Sequence, residues 1–182
     1  MISIPTLETE RLILRAHRDS DLAAQAETMG DPDVVRHLGG TPFSREETWR
    51  RMLAAPGLWA LLGFGYWAVE RKADGVLVGQ IGFADFKRAL EPGIENIPEM
   101  GWIFAPSGQG QGLAGEAATA ALAWGDEKFA GGEIVAIIDH ANAPSIRMAE
   151  RAGFSIREEA LYRGAPILLF RRPGRPKTVP IP

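Results

Sequence analysis

The stretch that most constrains this chain runs from Trp102 to Ala117 and reads Trp-Ile-Phe-Ala-Pro-Ser-Gly-Gln-Gly-Gln-Gly-Leu-Ala-Gly-Glu-Ala. An apolar, strand-like run stops at Pro106, a glycine-rich bend follows, and an alanine-rich helical pattern begins near Leu113. A strand that breaks into glycines at the mouth of a helix leaves several backbone N–H groups without partners. The helix dipole adds partial positive charge at that spot, so the bend suits phosphate. Glycine fits there because no side chain keeps an anion from the backbone. Taken alone, the same residues are also explained as a glycine-rich helix cap with no ligand.

Two common phosphate loops do not fit. The Walker pattern needs a Lys-Ser or Lys-Thr after its glycines, and none follows here. Gly110, Gly112 and Gly115 satisfy the dinucleotide fingerprint formally. That fingerprint belongs to an early βαβ unit, whereas this bend lies past the chain's midpoint, after antiparallel-looking strands.

The 182 residues suit one domain with a core large enough to need no staples. We expect that domain to span residues 1–172, with 173–182 as an irregular tail rich in proline and basic residues. The absence of cysteine excludes a disulfide framework, a thiolate metal site and a cysteine nucleophile. A net charge of −3 gives no electrostatic footprint for nucleic acid. No apolar run is long enough to span a bilayer, so no membrane partner is expected. The N-terminus lacks the basic and apolar regions of a signal peptide, which makes the cytoplasm the expected location.

From the start, Arg11–Arg15 reads as a short strand, and Asp19-Ser20-Asp21 supplies capping side chains for a helix over Leu22–Met29. Asp31-Pro32 opens another short helix. Ser44-Arg45-Glu46-Glu47 is a capping box for a helix expected to run to about Ala54. Gly63–Glu70 and Val76–Phe83 form a hairpin around a polar, glycine-terminated loop. Glu99–Phe104 is a third strand. The aromatics Trp49, Trp59, Phe64, Tyr66 and Trp67 read chiefly as core, with the wall of a substrate pocket as the alternative.

After the bend, Leu113, Ala117, Ala120, Ala121 and Trp124 recur at helical spacing, and the helix should run from about Gly112 to Phe129. Ile134–Ile138 is an apolar strand of the kind buried in a sheet interior. A strand, helix and strand in this order favours parallel pairing. Asn142 then caps a helix with Pro144 in its first turn, Gly153 ends it, and Phe154 folds back onto it. Ser155–Glu159 and Pro166–Phe170 read as two final strands.

Two of these segments resemble one family. Gln109-Gly110-Gln111-Gly112-Leu113-Ala114 matches [Gln/Arg]-x-x-Gly-x-[Gly/Ala], the pyrophosphate-binding signature of the GCN5-related N-acetyltransferases (GNAT). Asn142-Ala143-Pro144-Ser145 through Gly153-Phe154 resembles the same family's Asn-x-x-Ser…Gly-Phe pattern, in the right order and on the right elements. The opening around Thr9, Arg11, Leu12, Leu14 and Arg15 is similar to the RimJ/RimL branch, as is Glu99-Met100-Gly101-Trp102. The resemblance covers Thr6–Arg171. It implies the GNAT fold: a mixed α/β sheet of about seven mostly antiparallel strands, with helices on both faces. The strands Glu99–Phe104 and Ile134–Ile138 would splay apart at its centre to admit acetyl-CoA, with no metal.

Carried over by position, the amides of Gly110, Gln111, Gly112, Leu113, Ala114 and Gly115 would hold the pyrophosphate, with Gln109 at the mouth. Ile103 and Phe104 would offer main-chain bonds to pantetheine, Asn142 would bond the same arm, and Ser145 would sit near the sulfur. The resemblance implies N-acetylation of a peptide N-terminus or a small-molecule amine, and it is compatible with a homodimer. The alternative is an acetyl-CoA-binding regulatory module without turnover, which would need neither Glu99 nor Ser145.

The chemistry requires an ammonium to lose a proton before it attacks a thioester. Glu99 is the leading base, directly or through water, with an exposed strand-end carboxylate as its bland reading. His140 is the reserve. Many family members carry a tyrosine acid four residues before the Gly-Phe, where this chain has Ala149. Ser145 is then the candidate proton donor to the thiolate, with Tyr162 in reserve. Arg147 and Arg151 are candidates for the CoA 3′-phosphate.

Overall fold

A computed structural model describes residues 3–174, so most of the expected tail, residues 175–182, lies outside the described residues. One sheet of nine strands runs through the molecule in the order β1-β2-β3-β4-β6-β7-β9-β8-β5. The strands are β1 (Leu7–Glu8), β2 (Leu12–Arg15), β3 (Tyr66–Arg71), β4 (Leu77–Ala84) and β5 (Leu90–Glu91). β6 (Glu99–Phe104), β7 (Ile134–Ile138), β8 (Ile156–Tyr162) and β9 (Ala165–Arg172) complete it. The helices are α1 (Leu22–Gly30), α2 (Pro32–Val35), α3 (Arg45–Leu62), α4 (Leu113–Lys128) and α5 (Ala143–Arg151). Every strand pair is antiparallel except β6 with β7, the pair bridged by α4. The mixed α/β sheet is as expected, and the two strands beyond the expected seven are the two-residue edges β1 and β5, too short to show any periodicity.

Side-chain alternation divides the sheet into two faces. On one, Leu12, Leu14, Trp67, Ile81, Met100, Phe104, Ile134, Ala136, Leu168 and Phe170 meet Leu113, Ala117, Ala121 and Leu122 of α4 and Ala149 of α5. On the other, Val135 and Leu169 meet Leu90, Ile94 and Ala160. Trp59, Trp67 and Trp124 pack edge to face at centroid separations of 4.9–5.5 Å, which settles Trp59 and Trp67 as core.

The capping box at Ser44 is present, with Ser44 and Glu47 exchanging bonds. The helix it starts does not stop at Ala54, however, but continues through Pro56 to Leu62. Proline costs an interior helix about 3 kcal/mol. Burial of Trp59 beyond it, at 5% exposure, outweighs that penalty. The Asp19–Asp21 segment is a 3₁₀ turn, and the Asp21 carboxylate serves Arg15 and the Arg18 N–H rather than capping α1. Among the described residues, no helix is long and apolar enough to cross a membrane.

Candidate active site at the strand split

β6 and β7 pair only at their beginnings, where Glu99 stands level with Val135 and the Val135 N–H donates to Pro98 O at 3.0 Å. Beyond that point the two strands share no register, and a split opens toward Phe104. Which groups face it follows from two bonds. Ala105 N–H donates to Val78 O on the β4 side, and Pro98 O accepts from the β7 side. Antiparallel pairing alternates, so Gly101 and Ile103 spend their main-chain groups on β4, whereas Met100, Trp102 and Phe104 present theirs to the split. Ile103 O indeed points at β4, only 2.4 Å from where a Cβ on Gly79 would sit. The main-chain groups open to the far half of the split are therefore those of Trp102 and Phe104. The expectation for Ile103 is displaced by one residue, because sequence gives a strand but not the parity of its bonds.

The glycine bend closes the open end of the split. A 3₁₀ turn at Pro106–Gly108 leads into Gly110 and Gly112, both with positive φ, at +72° and +75°. A side chain at either would strain the left-handed backbone. The N–H groups of Gly110, Gln111, Gly112, Leu113, Ala114 and Gly115 have no partner among the described residues, and the first bonded amide of the helix is that of Glu116. Six open amides at one helix mouth fit a diphosphate. The Gln109 side chain turns back to donate to Phe104 O at 3.0 Å, which leaves the Phe104 N–H for a ligand.

On the α4 and α5 side of the sheet, Asn142 caps α5 by accepting from Ser145 N–H at 3.2 Å. Trp102 Nε1 reaches across the split and donates to Ser145 Oγ at 3.1 Å. With one lone pair occupied, the Ser145 hydroxyl is left with its proton to donate. Ala149, where a tyrosine acid would stand, is fully buried in the core. Arg147 and Arg151 are exposed on α5.

The opposite face holds the carboxylate. Glu99 is 4% exposed, and both its oxygens are held by Arg88, whose Nε and Nη2 donate at 2.7 and 3.0 Å. Arg88 Nη1 also donates to the Tyr162 hydroxyl at 3.1 Å, so Tyr162 stands with Glu99 and not with Ser145. Glu99 is thus a buried, paired carboxylate and not an exposed strand end. Arg88 was not foreseen, because it approaches from an irregular loop. Tyr66 packs its hydroxyl against Gly101, where an added Cβ would lie 2.1 Å away. Burial, and then the Glu99 charge, push its phenol well above the usual range.

Two histidines lie beyond β7. His140 pairs with Glu159 at 3.0 Å and is 41% exposed. His37, which the sequence did not single out, pairs through Nδ1 with Asp139 at 3.4 Å. Asp139 directly follows β7, on the Glu99 face by alternation from Val135. No local pattern announces that pair, since its members come from distant segments.

The model of the acetyltransferase (GNAT) domain matches residues 11–155. YkkB, an uncharacterized protein of Bacillus subtilis, is 31% identical over 173 residues, covering 91% of this chain and 94% of its own. A GnaT-family acetyltransferase structure from Bordetella pertussis superposes with a TM-score of 0.81 at 31% identity, covering 93% of this chain and 99% of the other. A structure of RimL, the ribosomal L7/L12 α-N-protein acetyltransferase, in complex with coenzyme A shares the fold at a TM-score of 0.74 and 17% identity, covering 93% and 98%.

Proposed function

The chain belongs to the GNAT acetyltransferase family, and from that premise we propose that it transfers the acetyl group of acetyl-CoA directly to a primary amine in a ternary complex. One observation carries this reading: the open amides of residues 110–115 and the unpaired edge of β6 meet at the mouth of the same split. The amides hold the diphosphate, and Trp102 and Phe104 pair with pantetheine as an added strand would. Asn142 supports the same arm. The thioester then lies between the faces, where a free N–H from the β6 edge stabilises the oxyanion.

The candidate proton carriers stand on opposite faces of the sheet, which suits an amine arriving from one side and a thiolate leaving on the other. Ser145 donates to the thiolate. Glu99 takes the ammonium proton through water, because the three residues from Glu99 to Trp102 span about 10 Å of strand. Arg88 already donates to both carboxylate oxygens, so the relayed water meets Glu99 at a remaining lone pair. His37, oriented by Asp139, offers a second route for the proton.

The acceptor is a peptide N-terminus, as for RimL, or a small-molecule amine, and the reaction belongs in the cytoplasm. Release of free CoA thiol with a panel of N-terminal peptides and small amines tests this. Amine-dependent release with stoichiometric acetylated product is expected. Acetyl-CoA binding without any release across the panel would leave only the regulatory-module reading. In the active pair, Glu99→Gln should lower kcat. If His37→Gln lowers it and Glu99→Gln does not, the proton travels through His37.

A further inference from the structure

Glu116 occupies the first turn of α4, among the amides assigned above to the diphosphate. A carboxylate there satisfies the helix dipole in the free protein but repels an incoming anion. It is not left bare. Its Oε1 accepts from Thr9 Oγ1 at 2.6 Å and from Arg11 N–H at 2.9 Å, and its Oε2 accepts from Arg11 Nε at 2.6 Å. Arg11 Nη2 stands 2.6 Å from Oε2, and Arg11 Nη1 donates to Gln111 O at 3.0 Å, inside the bend. The turn that carries these groups is itself fixed, since Leu12 N–H donates to Thr9 Oγ1 and Thr9 N–H to Leu12 O.

We propose that Arg11 is a positioning residue for the diphosphate: it cancels the Glu116 charge at the helix mouth and pins Gln111 so that the neighbouring amides stay open. The inference rests on the reading that this bend holds the diphosphate of acetyl-CoA. It gives the opening Thr-Glu-Arg-Leu segment a task at the cofactor loop, about a hundred residues further along the chain, that strand propensity alone does not explain. Burial acts to raise the Glu116 pKa, but the bonds from Thr9 and Arg11 outweigh it, so the carboxyl is ionised and its charge must be met. A second brace holds the same bend from the hairpin side, where Arg71 Nη1 and Gln111 Nε2 both donate to Ser107 O.

A simple structural bolt and a charge-cancelling one differ in sign. Removing either member of a bolt loosens the loop, so both variants would bind more weakly. If charge cancellation governs, Arg11→Ala exposes a carboxylate to the diphosphate, whereas Glu116→Gln frees an arginine for it. Isothermal titration of the whole protein with CoA, at low and high salt, separates the two. We expect Arg11→Ala to raise the Kd by roughly ten-fold, the scale of one screened charge contact near a surface. Glu116→Gln should lower it by about three-fold, Arg11→Lys should return it to within about three-fold of the parent, and all differences should shrink with salt. Weaker binding in both Arg11→Ala and Glu116→Gln, no change in Arg11→Ala, or no recovery in Arg11→Lys would each overturn the proposal. If the parent protein itself fails to bind CoA, the diphosphate reading falls and this inference with it.

Discussion

At the scale of single residues, the split is tuned by groups whose partners are already chosen. Ser145 accepts from the Trp102 indole, which fixes its oxygen and aims its proton elsewhere. Ser145→Ala should therefore lower kcat about ten-fold with little change in KM for acetyl-CoA, read by thiol release. The drop is small for an acid because a thiol of pKa about 8.5 leaves readily as thiolate. Unchanged turnover would remove Ser145 from the reaction. His17 presents the opposite situation. Both its ring nitrogens are buried without partners, and it faces Asp21 and Arg15. Burial holds its pKa down to about 4, from an ordinary 6.5. Between those values the unfolded chain binds the proton and the native one does not, so stability rises with pH across the window. It is fully present above about pH 6.5 and falls by about 3 kcal/mol as pH drops to 4. Asp21 acts lower still. Burial works against its ionisation, but bonds from Arg15 and Arg18 outweigh burial and hold its pKa below the ordinary carboxylate value, so its contribution is lost only in stronger acid. Urea melts at pH 4.5 and 7 should show the first loss in the parent protein, and His17→Leu should abolish most of it while raising stability at pH 4.5.

At the scale of elements, legibility depended on whether the deciding contacts were local. β6 and β7 lie where the apolar runs place them, and Asn142 and Gly153 bound α5 as their cap chemistry requires. Those features are written within a few residues of each other. Arg88 on Glu99 and His37 on Asp139 are not, and no propensity could reveal them. The parity that replaces Ile103 with Trp102 and Phe104 is likewise a matter of pairing between strands. Pro56 is the clearest conflict, a local stop signal overridden by a tryptophan packed one turn later. If that account holds, Pro56→Ala should stabilise the protein by about 1–2 kcal/mol, somewhat less than the full proline penalty because the unfolded chain gains freedom. Thermal melts would show it as a rise of a few degrees. A fall would mean that the proline's bend is what seats Trp59.

At the scale of the whole molecule, the sheet is continuous everywhere except at the one parallel pair, and the fold leaves that discontinuity beside the helix mouth with open amides. An unpaired strand edge inside a protein is costly unless something completes it. Acetyl-CoA, on the proposed reading, completes it, so binding should behave as the addition of a missing strand to the core. Two consequences can be measured together. Ligand that binds only the native state stabilises by RT ln(1 + [L]/Kd), about 2.7 kcal/mol at a hundred-fold excess over Kd. Hydrogen exchange should meanwhile slow at the amides of Trp102 and Phe104 and across residues 110–115, with Gly101 and Ile103 little changed because their bonds to β4 exist already. Alternating protection along β6 is the distinguishing mark, since general tightening would slow neighbouring amides alike. Protection confined to α5, with β6 unaltered, would mean that the ligand lies outside the split, and that the gap between β6 and β7 serves some purpose other than acetyl transfer.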